Sequence, residues 1–151
     1  MILKTLAVLI VIVVVAFMIY VRLAPSDTTR WNVPVAASEP ATPGPCVDKI
    51  TLVTKGARAT CLLAGTPTDA LTKLDAIAMA YPRTIRLAGT PADLRITWVS
   101  RSRLMGYPDY ITAEVSQSPD GTRLDIVSRQ RFGSADGGVN AARLKDWLAN
   151  L

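Results

Sequence analysis

The sequence predicts an α+β fold in which one N-terminal transmembrane helix carries a small domain. The first observation is an unbroken apolar run over residues 6–21. The second is the alternation of apolar and polar residues between about 95 and 132, which is typical of an antiparallel meander with one covered face. The third is a pair of segments with helical spacing, at about 67–80 and 138–150, which we expect to pack on that sheet.

The apolar N-terminal segment has the length and composition of a transmembrane anchor. About 20 residues span the roughly 30 Å of bilayer hydrocarbon, and over residues 2–21 only Lys4 and Thr5 are polar. The alternative is a cleaved signal peptide, with Lys4 as its basic start. Signal peptides have about 7–15 apolar residues before a small-x-small cleavage site, whereas Arg22 lies at the third position before a cut after Ala24. We therefore favour an uncleaved, single-pass anchor.

The chain divides into three parts, which are the transmembrane anchor (1–22), a Pro/Ala-rich linker (23–45) and an extracytoplasmic α+β domain (46–151). Five of the 10 prolines fall in the linker. We expect the linker to be a semi-extended spacer that holds the domain away from the bilayer. Tyr20, Arg22 and Trp31 suit the membrane–water interface, where aromatic and basic residues are enriched.

The orientation of the anchor decides the compartment of the domain. The charges that flank the apolar run do not decide it, because both flanks are basic. Since a short basic N-terminus before a long apolar run usually directs the downstream domain across the membrane, we expect a protein of the bacterial inner membrane with its N-terminus in the cytoplasm and its domain in the periplasm. Cys46 and Cys61 support export if they form a disulfide, which would close a loop of about 15 residues and contribute about 3 kcal/mol. Two buried free thiols are the alternative.

The first half of the domain contains strand and helix signals in alternation. Thr66 suits the N-cap and Pro67 the first position of a helix over about 67–80. Tyr81 and Pro82 end this helix, because the residue before a proline disfavours helical backbone. Short strands are expected at 50–54, 59–63 and 84–88.

The register of the meander is set by its turn residues. Asp120 and Gly121 are a typical two-residue hairpin turn, which would place Val115 opposite Ile126. The loop at 105–108 would then place Trp98 opposite Val115. After the meander we expect Asp136 to be the N-cap of the last helix. The apolar residues of that helix recur at helical spacing and should pack on the sheet: Leu144, Trp147, Leu148 and Leu151.

The outer face of the predicted meander is rich in arginine. From Cys46 onward arginine outnumbers lysine by 10 to 4, and this register brings four arginines together near one end of the outer face. Like charges so close repel unless acids from elsewhere or a bound anion compensate them. The face is therefore a candidate binding site for an anion, a lipid headgroup or a partner: Arg101, Arg103, Arg129 and Arg131.

A second group of polar residues is expected at the same end of the sheet. Arg103, Asp109, Arg131, Asp136 and Asn140 could converge there, and Tyr107 at the loop tip is either a partner contact or simply a turn residue. We favour a polar network that holds the 105–108 loop and the last helix in place, and the alternative is a binding site for an anion or a lipid headgroup.

Several ordered stretches together resemble one known family. They are Pro45-Cys46-Val47, Tyr81-Pro82-Arg83-Thr84, the run 102–109, Ser128, Arg131-Phe132-Gly133, Asp136 and Gly138-Val139-Asn140. From Cys46 to Leu151 the sequence is similar to the bacterial and plastid domain of unknown function numbered 1499. No activity is established for that family, so the resemblance implies a type of domain and no reaction.

The composition restricts the classes of function. The sequence has no histidine, which excludes a Ser-His-Asp triad and removes the commonest metal ligand. We therefore expect no enzyme activity, no cofactor and no metal, and no basic run is long enough to indicate nucleic acid. The leading hypothesis is a membrane-anchored accessory domain that docks to a membrane protein complex. The alternative is a domain that binds an anion or a lipid headgroup with the arginine face.

Overall fold

The computed structural model describes residues 2–36 and 40–151. It contains an N-terminal helix and a six-stranded antiparallel sheet in the order β1-β2-β6-β5-β4-β3. The strands are β1 (Thr51–Val53), β2 (Gly56–Leu63), β3 (Thr84–Thr90), β4 (Arg95–Arg101), β5 (Pro108–Ser118) and β6 (Gly121–Gln130). The helices are α1 (Ile2–Leu23), α2 (Thr28–Trp31), α3 (Pro67–Ala80) and α4 (Val139–Leu148). The predicted α+β class is confirmed.

Helix α1 is long and apolar enough to cross a membrane. Its 22 residues correspond to about 33 Å at 1.5 Å per residue. Within it only Val21 is buried, so the body of the helix makes no extensive contact with the domain. This is compatible with a single-pass membrane protein.

Helices α3 and α4 cover the inner face of the sheet and enclose the main core. The indole of Trp147 meets the Trp98 ring edge to face, with centroids 5.5 Å apart, and both residues are fully buried. Trp147 thus packs on the sheet as predicted. The Nε1 of Trp98 donates to Asp75 Oδ1 at 2.9 Å, which satisfies that donor inside the core. Helix α3 begins as predicted, because Thr66 Oγ1 accepts a hydrogen bond from the backbone amide of Asp69.

The predicted register of the meander is wrong, although its inner and outer faces are correct. The hairpin turn lies at 119–120, one residue earlier than predicted, so Val115 is opposite Leu124 instead of Ile126. Gly121 belongs to β6, where an added Cβ would lie 2.6 Å from Leu63 O of the neighbouring strand. The glycine therefore lies just after the turn, where a φ of +133° and the close strand approach both disfavour a side chain. Trp98 is opposite Ile111 instead of Val115. Each partner moves by an even number of residues, which keeps every side chain on its face.

Two local features stabilise the first segment of the domain and its last helix. A disulfide joins Cys46 to Cys61 with their Cα atoms 5.3 Å apart, and it ties the start of the domain to β2. At the last helix, the Asp136 carboxylate accepts hydrogen bonds from the amides of Gly138 and Asn140. Asp136 thus provides the predicted capping bonds, while Gly138 occupies the N-cap position itself.

Residues 24–36, which we call the strap, lie against the outer face of the sheet. The prediction of a semi-extended spacer is wrong for this segment, and Trp31, which we expected to contact the membrane interface, lies against the sheet instead. Trp31 is 8% exposed and packs on Val99 and Tyr110. Asn32 Oδ1 accepts a hydrogen bond from Thr97 Oγ1 at 3.0 Å. The outer face carries apolar side chains in the middle of the sheet, and the strap shields them from water.

Candidate functional site

Arginine side chains join the carboxyl end of α1 to the domain. Arg22 Nη2 donates to Leu104 O at 2.7 Å, and Arg101 Nη1 donates to Val21 O at 3.4 Å. Just beyond the helix, Arg131 Nη1 donates to Pro25 O at 2.6 Å. The last carbonyl groups of a helix lack partners within it, and positive charge near them is favourable. Hydrogen bonds from arginine side chains to main-chain carbonyl groups therefore join the end of α1 to the domain.

Four aromatic rings form a second contact between α1 and the domain. Tyr107 lies 6.4 Å from Phe17 and 6.0 Å from Phe132, measured between ring centroids, and Tyr20 lies 6.1 Å from Phe132. Aromatic contacts of this kind contribute about 0.5–1.5 kcal/mol each beyond the area they bury. This aromatic cluster (Phe17, Tyr20, Tyr107 and Phe132) places the β4–β5 loop beside the last turns of the helix.

Gly106 permits this close approach. Its φ is +74°, and an added Cβ would lie 2.8 Å from Arg22 Cγ. A larger residue would therefore be strained in its backbone and would push against the helix end.

A cavity of about 360 Å³ opens where the helix end meets the β3–β4 edge of the sheet. Its walls combine charge and apolar surface: Arg22, Arg83, Ile85, Val99, Arg101, Ser102, Arg103 and Gly106. Ile85 and Val99 pair across β3 and β4 and supply the apolar part. We call it the arginine cavity after Arg22, Arg83, Arg101 and Arg103.

The arginines of the cavity lack acidic partners within the described part of the chain. Arg22 and Arg101 donate to main-chain carbonyl groups, as does Arg83, whose Nε lies 3.1 Å from Arg101 O. Arg103 is exposed and has no hydrogen bond or ion pair among the residues that the structure describes. The observed ion pairs lie elsewhere: Arg86–Asp75, Arg95–Glu114, Arg123–Asp125 and Arg143–Asp109. The cavity is therefore strongly positive and suited to an anion.

The predicted arginine face is divided between this cavity and the strap. Arg101 and Arg103 line the cavity, whereas Arg129 Nη2 donates to Trp31 O at 3.1 Å and Arg131 contacts Pro25. Burial lowers the pKa of the Arg129 guanidinium. The strap thus uses two of the four arginines that the sequence placed in one cluster.

The sequence reasoning missed two arginines of the cavity. Arg22 ends the apolar run, which is a sequence signal for the membrane surface. Arg83 precedes β3, and the pairing of that strand brings Arg83 O within 3.0 Å of the Arg101 amide. Predicting the register of the β3–β4 hairpin from the sequence would have placed Arg83 beside Arg101.

The second predicted group forms a buried network on the inner face, without Arg103 and Arg131. Arg143, which the sequence reasoning missed, donates from Nη2 to Asp109 Oδ2 at 2.9 Å and from Nη1 to Asn140 Oδ1 at 2.7 Å. Ser128 Oγ also donates to Asn140 Oδ1. Burial raises the pKa of the Asp109 carboxyl above its ordinary value, and the Arg143 charge opposes that rise. These bonds join β5, β6 and α4.

Asp136 lies next to this network, and the two hydrogen bonds that it accepts at the start of α4 lower the pKa of its carboxyl group. Burial would raise the pKa of the Asp136 carboxyl, but hydrogen bonds from Asn140 and Gly138 outweigh burial and lower it.

Among residues 2–36 and 40–151, no group of three or more Cys, Asp or Glu side chains is placed to hold a metal ion.

The fold and the cavity define a class: an α+β domain with an anion-suited cavity, preceded by a helix able to cross a membrane. The family model described as protein of unknown function DUF1499 matches residues 36–151. The chain belongs to this family, which confirms the resemblance seen in the sequence. Arg83, Arg101 and Arg103 lie within the matched region, and α1 and Trp31 precede it. No curated protein sequence matches the chain.

Proposed function

We propose that this chain is a single-pass inner-membrane protein whose periplasmic domain binds the phosphate of an anionic lipid headgroup in the arginine cavity. One observation carries the proposal. Arg22 terminates the apolar helix and lines the same cavity as Arg83, Arg101 and Arg103. If α1 spans the bilayer, Arg22 lies at the membrane surface, and the cavity then opens at the level of the lipid phosphates.

The chemistry of the cavity supports a phosphate ligand. Guanidinium groups bind phosphate oxygens through paired hydrogen bonds, and these charge-assisted bonds are stronger than neutral ones. A volume of about 360 Å³ falls in the range of small-ligand sites. Ile85 and Val99 offer an apolar surface that suits the glycerol and the first acyl carbons of a lipid. The cavity wall is made mostly of basic and apolar groups, which supports binding as the proposed role.

Lipid retention by the purified full-length chain tests the proposal. Native mass spectrometry would compare phosphatidylglycerol with phosphatidylcholine, added to the protein in neutral detergent. We expect Arg103→Gln and Arg83→Gln each to weaken retention of phosphatidylglycerol by about 10- to 150-fold, since one charge-assisted bond contributes about 1.5–3 kcal/mol. Lys145→Gln, which removes the same charge from α4, is the matched control. Equal retention of both lipids, or no difference between the arginine variants and Lys145→Gln, would contradict the proposal.

A C-terminal alkaline phosphatase fusion tests the orientation separately. We expect an active fusion, because the enzyme folds only where its disulfides form, in the periplasm. A fusion that is well expressed but inactive would place the domain in the cytoplasm, where the cavity would face the other leaflet.

A further inference from the structure

We infer that the β4–β5 loop, residues 102–107, enters the interfacial layer of the membrane as a second contact with lipid. The inference rests on the proposed membrane-spanning role of α1. Ser102, Arg103 and Gly106 of this loop also line the arginine cavity, but the inference concerns Leu104 and Tyr107, which are not among the lining residues.

The aromatic cluster sets the depth of the loop relative to the helix. Phe17 precedes Arg22 by five positions, which corresponds to about 7.5 Å along the helix axis. Tyr107 contacts Phe17, so its ring lies on the bilayer side of Arg22. A phenol ring at that depth matches the preference of tyrosine for the membrane–water interface.

The loop tip presents large apolar side chains beside the helix. Leu104 is 76% exposed although Arg22 holds its carbonyl group next to the helix end. Transfer of such a side chain from water into lipid is favourable by roughly 25 cal/mol per Å² of apolar surface. The neighbouring Arg103 is exposed and can extend its guanidinium back to the headgroups while its stem lies along the lipid.

Several main-chain groups of the loop are hydrogen-bonded to other protein groups, which suits a poorly hydrated environment. Ser102 N donates to Tyr107 O at 3.0 Å, and Gly106 N donates to Ser102 O at 3.2 Å. Tyr107 N donates to Ser102 Oγ, and Gly106 O accepts from Arg101 Nη1, both at 3.0 Å. Leu104 O is bonded to Arg22. Unsatisfied backbone groups are costly where water is scarce, so these hydrogen bonds lower the penalty of insertion.

Depth-dependent fluorescence quenching tests the inference on the full-length chain in nanodiscs. An environment-sensitive dye would be attached through Leu104→Cys, with lipids brominated near the headgroup as quenchers. The native cysteines form a disulfide and do not react. Two control positions are Ile12→Cys, in the middle of α1, and Leu52→Cys, which is 75% exposed on β1 at the far edge of the sheet.

We expect strong quenching and a blue-shifted emission at position 104, and neither at position 52. At position 12 we expect quenching by lipids that are brominated deep in the acyl chain. If position 104 behaves like position 52 while position 12 is quenched, the loop stays in water and the inference is wrong, although the anchor stands. If position 12 is not quenched, α1 does not span the bilayer, and the proposed function and this inference fail together.

Discussion

The indole of Trp31 stacks on the phenol ring of Tyr110, with centroids 3.8 Å apart and 8° between the ring planes. Tyr110 is fully buried, and its hydroxyl group is hydrogen-bonded to Ser26 Oγ at 2.9 Å. Trp31 and Ser26 both belong to the strap. The segment between α1 and the family domain is therefore part of the folded structure.

We predict that Trp31→Ala lowers the free energy of unfolding by about 3 kcal/mol, because it removes a buried aromatic ring from the outer face. Trp31→Phe keeps a ring on Tyr110 and should lose less. Urea unfolding of the full-length chain in detergent, followed by near-ultraviolet circular dichroism, measures both. A loss within about 0.5 kcal/mol for Trp31→Ala, as at an exposed site, would show that the strap is detached in solution.

The elements of the fold could be predicted from local patterns, whereas the register and the strap could not. Thr66 and Pro67 mark the start of α3 in the sequence alone, and alternation assigned the inner face of the meander correctly. Gly121 was misassigned to the turn because its actual role depends on Leu63 O in another strand. The composition of the strap predicted a spacer, since stacking on Tyr110 is a tertiary contact without a local signal.

The candidate site could be predicted only in part, for the same reason. Arg101 and Arg103 were found because they alternate along one predicted strand. Arg22 and Arg83 are distant in sequence and reach the cavity through the helix end and the β3–β4 pairing. Arg143 was missed because a charged residue on a predicted amphipathic helix is usually exposed, whereas the Asp109 carboxylate holds this one inside.

We predict that Gly106→Ala loosens the contact between α1 and the domain. The substituted residue would carry about 1–2 kcal/mol of left-handed backbone strain, and its Cβ would displace Arg22. Hydrogen exchange of the backbone amides of residues 21–24 should become faster. Gly65→Ala is the matched control, because Gly65 also has a positive φ but nothing within 4 Å of an added Cβ. Equal exchange in the two variants would mean that Gly106 does not set the helix contact.

We predict that Arg143→Leu destabilises the domain by about 3–5 kcal/mol at neutral pH, since it leaves the Asp109 carboxylate buried without a counter-charge. The pKa of Asp109 is already raised by burial, and losing Arg143 raises it further. A carboxyl with a raised folded-state pKa favours folding most below its unfolded pKa of about 3.9, and this contribution is lost as the pH rises through the folded value. The difference between variant and wild type should therefore shrink as the pH falls towards about 4.

Urea unfolding across this pH range measures that difference. The double variant Asp109→Asn/Arg143→Leu is the control, because it has no carboxyl to titrate at this position and should show no such pH dependence. A destabilisation by Arg143→Leu that is the same at all pH values would contradict the assigned role of the Asp109–Arg143 pair.

We predict that Cys46→Ser/Cys61→Ser lowers the free energy of unfolding by about 3 kcal/mol, because the disulfide closes a loop with a sequence separation of 15. Adding a reductant to the wild-type chain should reproduce the loss, and the double variant should not respond to reductant. An unfolding midpoint that does not change after verified reduction would show that the disulfide does not stabilise the domain.

Photo-crosslinking at Ile85 in intact membranes tests the central claim most directly, namely that the arginine cavity holds a lipid phosphate at the bilayer surface. Ile85 lines the cavity and is 60% exposed, so a diazirine amino acid fits there without disturbing the core. We predict an adduct with the mass of an anionic phospholipid, which is reduced by Arg103→Gln and does not form from position 52. An adduct with another protein, or a lipid adduct that is indifferent to Arg103→Gln, would contradict the account.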